Sequence, residues 1–172
     1  MFELLLLIIL LIIILSIVIT SLKVGISPMP SNKKVSKEIV NLLEKDSNNT
    51  IIELGSGFGN LAIFLASSFP NKQIIAYEIS FFPYLISKLL TKVLKIKNLK
   101  IYRKNFLKED IKNATLVCYL FPEGMQKLED KLFDDSINTQ IISSTFAFRH
   151  IKERKVIQTQ DILKTPIYVY NT

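Results

Sequence analysis

Residues Ile51–Ala66 read IIELGSGFGNLAIFLA, and this stretch decides the fold. A short apolar segment, Ile51 and Ile52, meets an acid, Glu53. Glycines then fall at every second position (Gly55, Gly57, Gly59), and an apolar periodic segment with Leu61, Ile63, Phe64, Leu65 and Ala66 follows. The pattern is strand, glycine loop, helix. Such a loop brings backbone close to a ligand because no Cβ intervenes, and it directs the amides of a helix N-terminus at an anionic group. The spacing G-x-G-x-G, with an acid two residues before the first glycine, departs from the G-x-G-x-x-G of a dinucleotide site.

The neighbouring segments fall where a nucleoside ligand needs them. Gln73 to Tyr77 reads as a second strand ending in Glu78, 19 residues after Gly59, where a carboxylate can accept both hydroxyls of a ribose. A third strand, Leu99 to Tyr102, precedes Asn105 and Phe106, a polar group and an aromatic face placed for an adenine. Each has a plainer account as well. Glu53 could simply cap the glycine loop, and asparagine is an ordinary turn residue.

With these residues in view, the chain resembles a class I S-adenosylmethionine (SAM) dependent methyltransferase. More narrowly, it is similar to the small protein-lysine N-methyltransferases, which include archaeal enzymes of broad specificity and membrane-anchored eukaryotic enzymes acting on the ATP synthase c subunit and the adenine nucleotide translocase. The resemblance rests on Pro28-Met29-Pro30-Ser31, LGSGFGN, AYEIS, KNFLKEDIKNATLV, LFPEGMQKLEDKL and IISSTFAFR. Where the family usually has Asp and Arg, this chain has Phe58 and Asn60. Residue reading and resemblance together give a SAM-binding set of Glu53, Gly55, Ser56, Gly57, Gly59, Glu78, Ile79, Asn105 and Phe106. The resemblance adds Pro30, in a corner that lines the family's cofactor pocket.

The first 22 residues differ in composition from the rest. From Leu4 to Leu22 there are 19 consecutive uncharged residues, nearly all Leu, Ile and Val. As a helix they would be about 28 Å long, enough to cross a hydrocarbon core. A cleaved secretory signal fits less well, because the leading residues carry Glu3 and no Lys or Arg, and the apolar core is too long. The expectation is a transmembrane anchor over 1–22, a linker and helix over 23–50, and a SAM-binding domain over 51–172. Lys23, Lys33, Lys34 and Lys37 follow the apolar run and no basic residue precedes it, so the expected localisation is single-pass membrane with a cytoplasmic catalytic part.

Net charge is +7, and nine Lys or Arg lie between Lys88 and Lys112 against Glu109 and Asp110 alone. That density could be a footprint for nucleic acid or anionic lipid. The plainer account is a helix over Pro83 to Lys95 with one apolar stripe (Leu85, Ile86, Leu89, Leu90, Val93) and an opposite, solvated stripe of Lys88, Lys92 and Lys95. A nucleic-acid partner is therefore not expected. One cysteine, Cys118, and one histidine, His150, cannot assemble a disulfide or a zinc site, so no metal is expected.

The second half alternates strands with helices. Ala114 to Leu120 reads as a buried central strand, Pro122 starts a helix through about Lys131, and Gln140 to Ser143 is a further strand. Lys155 to Gln160 and Pro166 to Tyr170 form a terminal hairpin. The expected fold is a Rossmann-like α/β methyltransferase sheet, mostly parallel with one antiparallel edge. The strand end Tyr119, Leu120, Phe121 would position the acceptor, and no residue presents itself as a general base. A lysine acceptor on a membrane-associated protein is expected. The alternatives are a lipid-soluble small molecule as acceptor, or a membrane-tethered scaffold of the same fold without activity.

Overall fold

The computed structural model describes residues 3–8, 10, 11, 14, 15, 18, 32–44 and 48–172. Its elements run α1 (Lys33–Leu43), β1 (Thr50–Leu54), α2 (Asn60–Ser68), β2 (Gln73–Tyr77), α3 (Phe81–Val93), β3 (Leu99–Tyr102), β4 (Thr115–Cys118), α4 (Pro122–Asp134), β5 (Gln140–Ser144), β6 (Lys155–Gln158) and β7 (Pro166–Asn171). A short 3-10 turn, Phe106–Lys108, lies between β3 and β4.

The strands form one sheet in the order β3-β2-β1-β4-β5-β7-β6. The first five in that order pair in parallel, and β7 pairs antiparallel to both β5 and β6. The sheet is therefore Rossmann-like, mostly parallel with an antiparallel edge, as the alternation of segments predicts. The order reverses between β1 and β4, so a crevice opens beyond their carboxyl ends, where ligands bind in open α/β sheets.

Strand alternation sorts the core into two layers. Ile51, Val117 and Ile142 pack on one face with Val35, Ile39 and Leu43 of α1 and Leu61 and Leu65 of α2. Ile52, Leu116, Cys118 and Ile141 pack on the other with Met125, Leu128 and Leu132 of α4. Cys118 is a core residue whose thiol burial pushes up to about 12.

Two expectations are corrected. Among the described residues no helix is long and apolar enough to cross a membrane. That overturns the single-pass anchor over 1–22 and the membrane localisation built on it; the other residues of that stretch, and the Pro28 to Ser31 corner with Pro30, lie outside the described residues. The second correction concerns α3. Its apolar stripe does not pack: only Pro83 and Ser87 are buried, while Leu85, Leu89 and Val93 are 48%, 60% and 67% exposed.

Candidate active site

The glycine loop closes β1 onto α2 and is wired to the end of β2. The amides of Gly55 and Ser56 both donate to the Tyr77 carbonyl, at 3.0 and 2.9 Å, and that of Gly59 donates to Ser56 O at 2.8 Å. The amide of Gly57, a residue at φ +54°, donates to Glu78 Oε2 at 2.7 Å, and the Ser80 amide donates to Glu78 Oε1 at 2.7 Å. Glu78 is thus buried and already paired, because two backbone amides converge on it. A carboxylate oxygen has capacity for more than one donor, so Glu78 retains room for hydroxyls. The amides of Gly55, Ser56, Gly57 and Gly59, by contrast, are spent within the protein. What the loop offers a ligand is close backbone approach at the start of α2.

Gly59 has a different task. It caps α2 in the left-handed region at φ +79°, and a Cβ there would lie 2.7 Å from the Cβ of Ser87. The third glycine and the small Ser87 together let α3 approach the loop.

Glu53 sits at the crevice end of β1, 5% exposed, and its Oε2 has no hydrogen-bond partner. Burial, then the nearby charge of Glu78, push its carboxyl up to about 8, against a smaller opposing effect of the Ala62 amide. The Ser56 hydroxyl in the glycine loop is also buried without a partner. Orphaned buried polar atoms are rare in native proteins. Two of them at the mouth of a glycine loop fit a ligand with a cationic or hydrogen-bonding end. SAM has such an end in its amino and carboxylate groups, so these residues suit it.

Farther along, Ile79 is 36% exposed just after Glu78. Asn105 uses its Oδ1 to accept from the Leu107 amide at 3.0 Å, capping the 3-10 turn, which leaves its amino group to a ligand. The Phe106 ring does not provide the expected aromatic face. It is 4% exposed and packs in the core with Tyr77 and Ile111. Phe58 is half-buried in the loop and Asn60 is exposed at the first turn of α2.

Beyond β4, Leu120 is fully buried in the core, whereas Tyr119 and Phe121 remain partly accessible. Their rings are 6.1 Å apart, and a third ring, Phe146, lies 5.9 Å from Tyr119 and 5.5 Å from Phe121. Burial raises the Tyr119 hydroxyl above its ordinary range. Phe146 is not among the site residues read from the sequence, although it lies in the IISSTFAFR stretch. It comes from the turn after β5, where Thr145 adopts φ +75°, an uncommon conformation for a β-branched residue and a frequent mark of functional sites.

That turn is tied down on several sides. The Thr145 amide donates to Pro166 O at 2.8 Å, Ser143 Oγ donates to Phe146 O at 2.7 Å, and the Phe148 amide donates to the Tyr170 hydroxyl at 3.1 Å. Buried Glu129 of α4 accepts from the His150 and Ile151 amides at 2.8 and 2.9 Å. Burial raises the Glu129 carboxyl, but those two amides and the His150 ring outweigh it and hold the carboxyl below its usual range. The result is a rigid aromatic wall at the ends of β4 and β5.

A sheet of this order, with a glycine loop after β1, an acid ending β2 and an aromatic wall after β4, defines a class I methyltransferase. Residues 53–155 match the family model described as the ANTKMT methyltransferase domain, and the chain belongs to that family. It is a SAM-dependent methyltransferase. A protein-lysine N-methyltransferase of Saccharolobus islandicus is 25% identical over 148 residues, spanning 83% of this chain and 91% of the relative. Among solved structures, an RNA methyltransferase from Salinibacter ruber in complex with S-adenosyl-L-homocysteine shares the fold at TM-score 0.70 and 20% identity, covering 83% of this chain and 93% of its own. Magnesium protoporphyrin IX methyltransferase from Synechocystis, with bound SAM, gives TM-score 0.62 at 16% identity, covering 79% and 77%.

Proposed function

We propose that the chain methylates the ε-amino group of a lysine on a protein. The observation that carries this reading is the wall of Tyr119, Phe121 and Phe146, which is apolar and contains no carboxylate or imidazole. A lysine must lose its proton before it can attack, and desolvation against such a wall lowers an amine's pKa without a general base. The Saccharolobus relative, a protein-lysine N-methyltransferase, supports the same acceptor.

SAM, when bound, supplies a methyl group on a positively charged sulfur. The lysine Nζ lone pair forms the new N–C bond as the C–S bond breaks, leaving S-adenosylhomocysteine and a methylammonium that returns its proton to solvent. The protein's part is alignment and exclusion of water. In this reading Glu53 takes the cofactor's amino end, with the Ser56 hydroxyl beside it. Glu78 takes the ribose hydroxyls while still bracing the loop, Ile79 and the Asn105 amino group flank the adenine, and Tyr119 and Phe121, with Phe146, guide the acceptor.

Purified enzyme incubated with methyl-labelled SAM and a protein extract should yield labelled methyl-lysine on amino-acid analysis. Label recovered only in a solvent-extractable small molecule would replace this reading with the alternative acceptor class.

A further inference from the structure

Helix α3 turns outward the residues that its periodicity assigns to a core. Leu85, Ile86, Leu89, Leu90, Val93 and Leu94 are each 37–67% exposed. Its buried residues are instead Pro83 and Ser87, with Tyr84 packed against the core, and the small Ser87 is what close approach to Gly59 requires. Contiguous apolar surface of this kind marks an interaction site more often than idle surface.

Beside the apolar row, α3 and the edge strand β3 enclose a groove of about 630 Å³ lined in part by Lys88, Lys92, Lys95, Lys97 and Lys100, with no acidic residue among its lining. Lys88 also donates to the Tyr84 hydroxyl at 2.9 Å. No strand lies beyond β3 in the sheet.

The two features constrain the occupant jointly. Nucleic acid would answer the lysines but leave the leucines in water. A second copy would answer the leucines but bring two sets of lysines together with no acid between them. An anionic bilayer surface answers both, since an amphipathic helix lying in the interface buries its apolar face at the acyl boundary while its lysines reach phosphate headgroups. We propose that α3 and the adjoining lysine groove dock the enzyme reversibly on anionic lipid. This is interfacial contact and requires no spanning helix. Because α3 begins directly after Glu78, Ile79 and Ser80, docking would set the cofactor crevice close to the lipid.

The test uses the full chain, so that any lipid affinity of the apolar N-terminal stretch is common to all samples. Co-sedimentation with vesicles of phosphatidylglycerol and phosphatidylcholine is compared with phosphatidylcholine alone. Partitioning should require phosphatidylglycerol and weaken with salt. It should fall roughly fivefold for each lysine removed in Lys92→Gln/Lys95→Gln, and at least about tenfold in Leu89→Glu/Val93→Glu. SAM affinity of both variants, measured by calorimetry, should be unchanged, which shows that they remain folded. The proposal is overturned if the wild type does not partition, if it partitions equally onto phosphatidylcholine, or if neither pair of substitutions alters partitioning. It is also overturned if sedimentation analysis shows a dimer that Leu89→Glu/Val93→Glu converts to monomer while vesicle binding is absent.

Discussion

Replacing Glu53 by Gln should make the cofactor-free protein more stable and the enzyme worse. Burial and the neighbouring Glu78 charge carry the Glu53 carboxyl from 4.5 up to about 8. The folded state therefore holds this proton more tightly than the unfolded chain does, and stability falls as pH rises from about 4.5 to about 8, then levels off. Each tenfold change in proton affinity is worth about 1.4 kcal/mol, so at pH 7 the acid costs the empty fold on the order of 3 kcal/mol. Gln keeps the size and the acceptor for the Ala62 amide but removes the titration. Thermal denaturation should give similar midpoints for both proteins near the acid end, with the variant ahead by about 6 to 12 °C at neutral pH. SAM affinity should fall by roughly 10- to 100-fold, the worth of a charge-assisted contact. Cofactor binding at neutral pH should also release close to one proton from the wild type and none from the variant, read by calorimetry in buffers of different ionisation enthalpy. A stability difference independent of pH would refute the buried acid, and equal SAM affinity would remove Glu53 from the cofactor's amino end.

Three further outcomes test the rest of the site. Glu78→Ala should weaken SAM binding by roughly 10- to 100-fold, because it removes a charged acceptor and frees the Gly57 and Ser80 amides it holds; unchanged affinity in calorimetry would cancel the ribose assignment. Gly59→Ala should destabilise by about 1 to 2 kcal/mol from its left-handed backbone and by more from contact with Ser87; adding Ser87→Gly should recover only the contact part, and no recovery in urea denaturation would mean that α3 does not set the need for glycine. Phe146→Ala should raise KM for a lysine acceptor while leaving the Kd for SAM unchanged; a loss of SAM affinity instead would move Phe146 to the cofactor side of the crevice.

What could be read from the residues alone was what local pattern specifies. β2 and β3 are bounded in the sequence where they are in the structure, since apolar runs punctuated by polar turns need no distant partner to be recognised. Glu53 and Glu78 were legible for a related reason: a carboxylate closing a buried strand has nowhere to go but the crevice. The α3 stripe shows where this logic stops. Period tells that a helix has two unlike faces, but whether a neighbour covers the apolar one depends on sheet order, and β3 beneath α3 is an edge strand. Asn105 and Phe106 are adjacent in sequence, yet the ring turns into the core while the amide caps a turn, a choice made by Tyr77 and Ile111 rather than by the dipeptide. Phe146 is the extreme case. Its place beside Tyr119 and Phe121 depends on a left-handed Thr145 and on bonds to partners such as Pro166, Tyr170 and Glu129, far from it in sequence. Acids at strand ends, like the aromatic residues Tyr119 and Phe121 after β4, thus show in the sequence, whereas the third ring, Phe146, is brought beside them by tertiary bonds and shows only once the chain is folded.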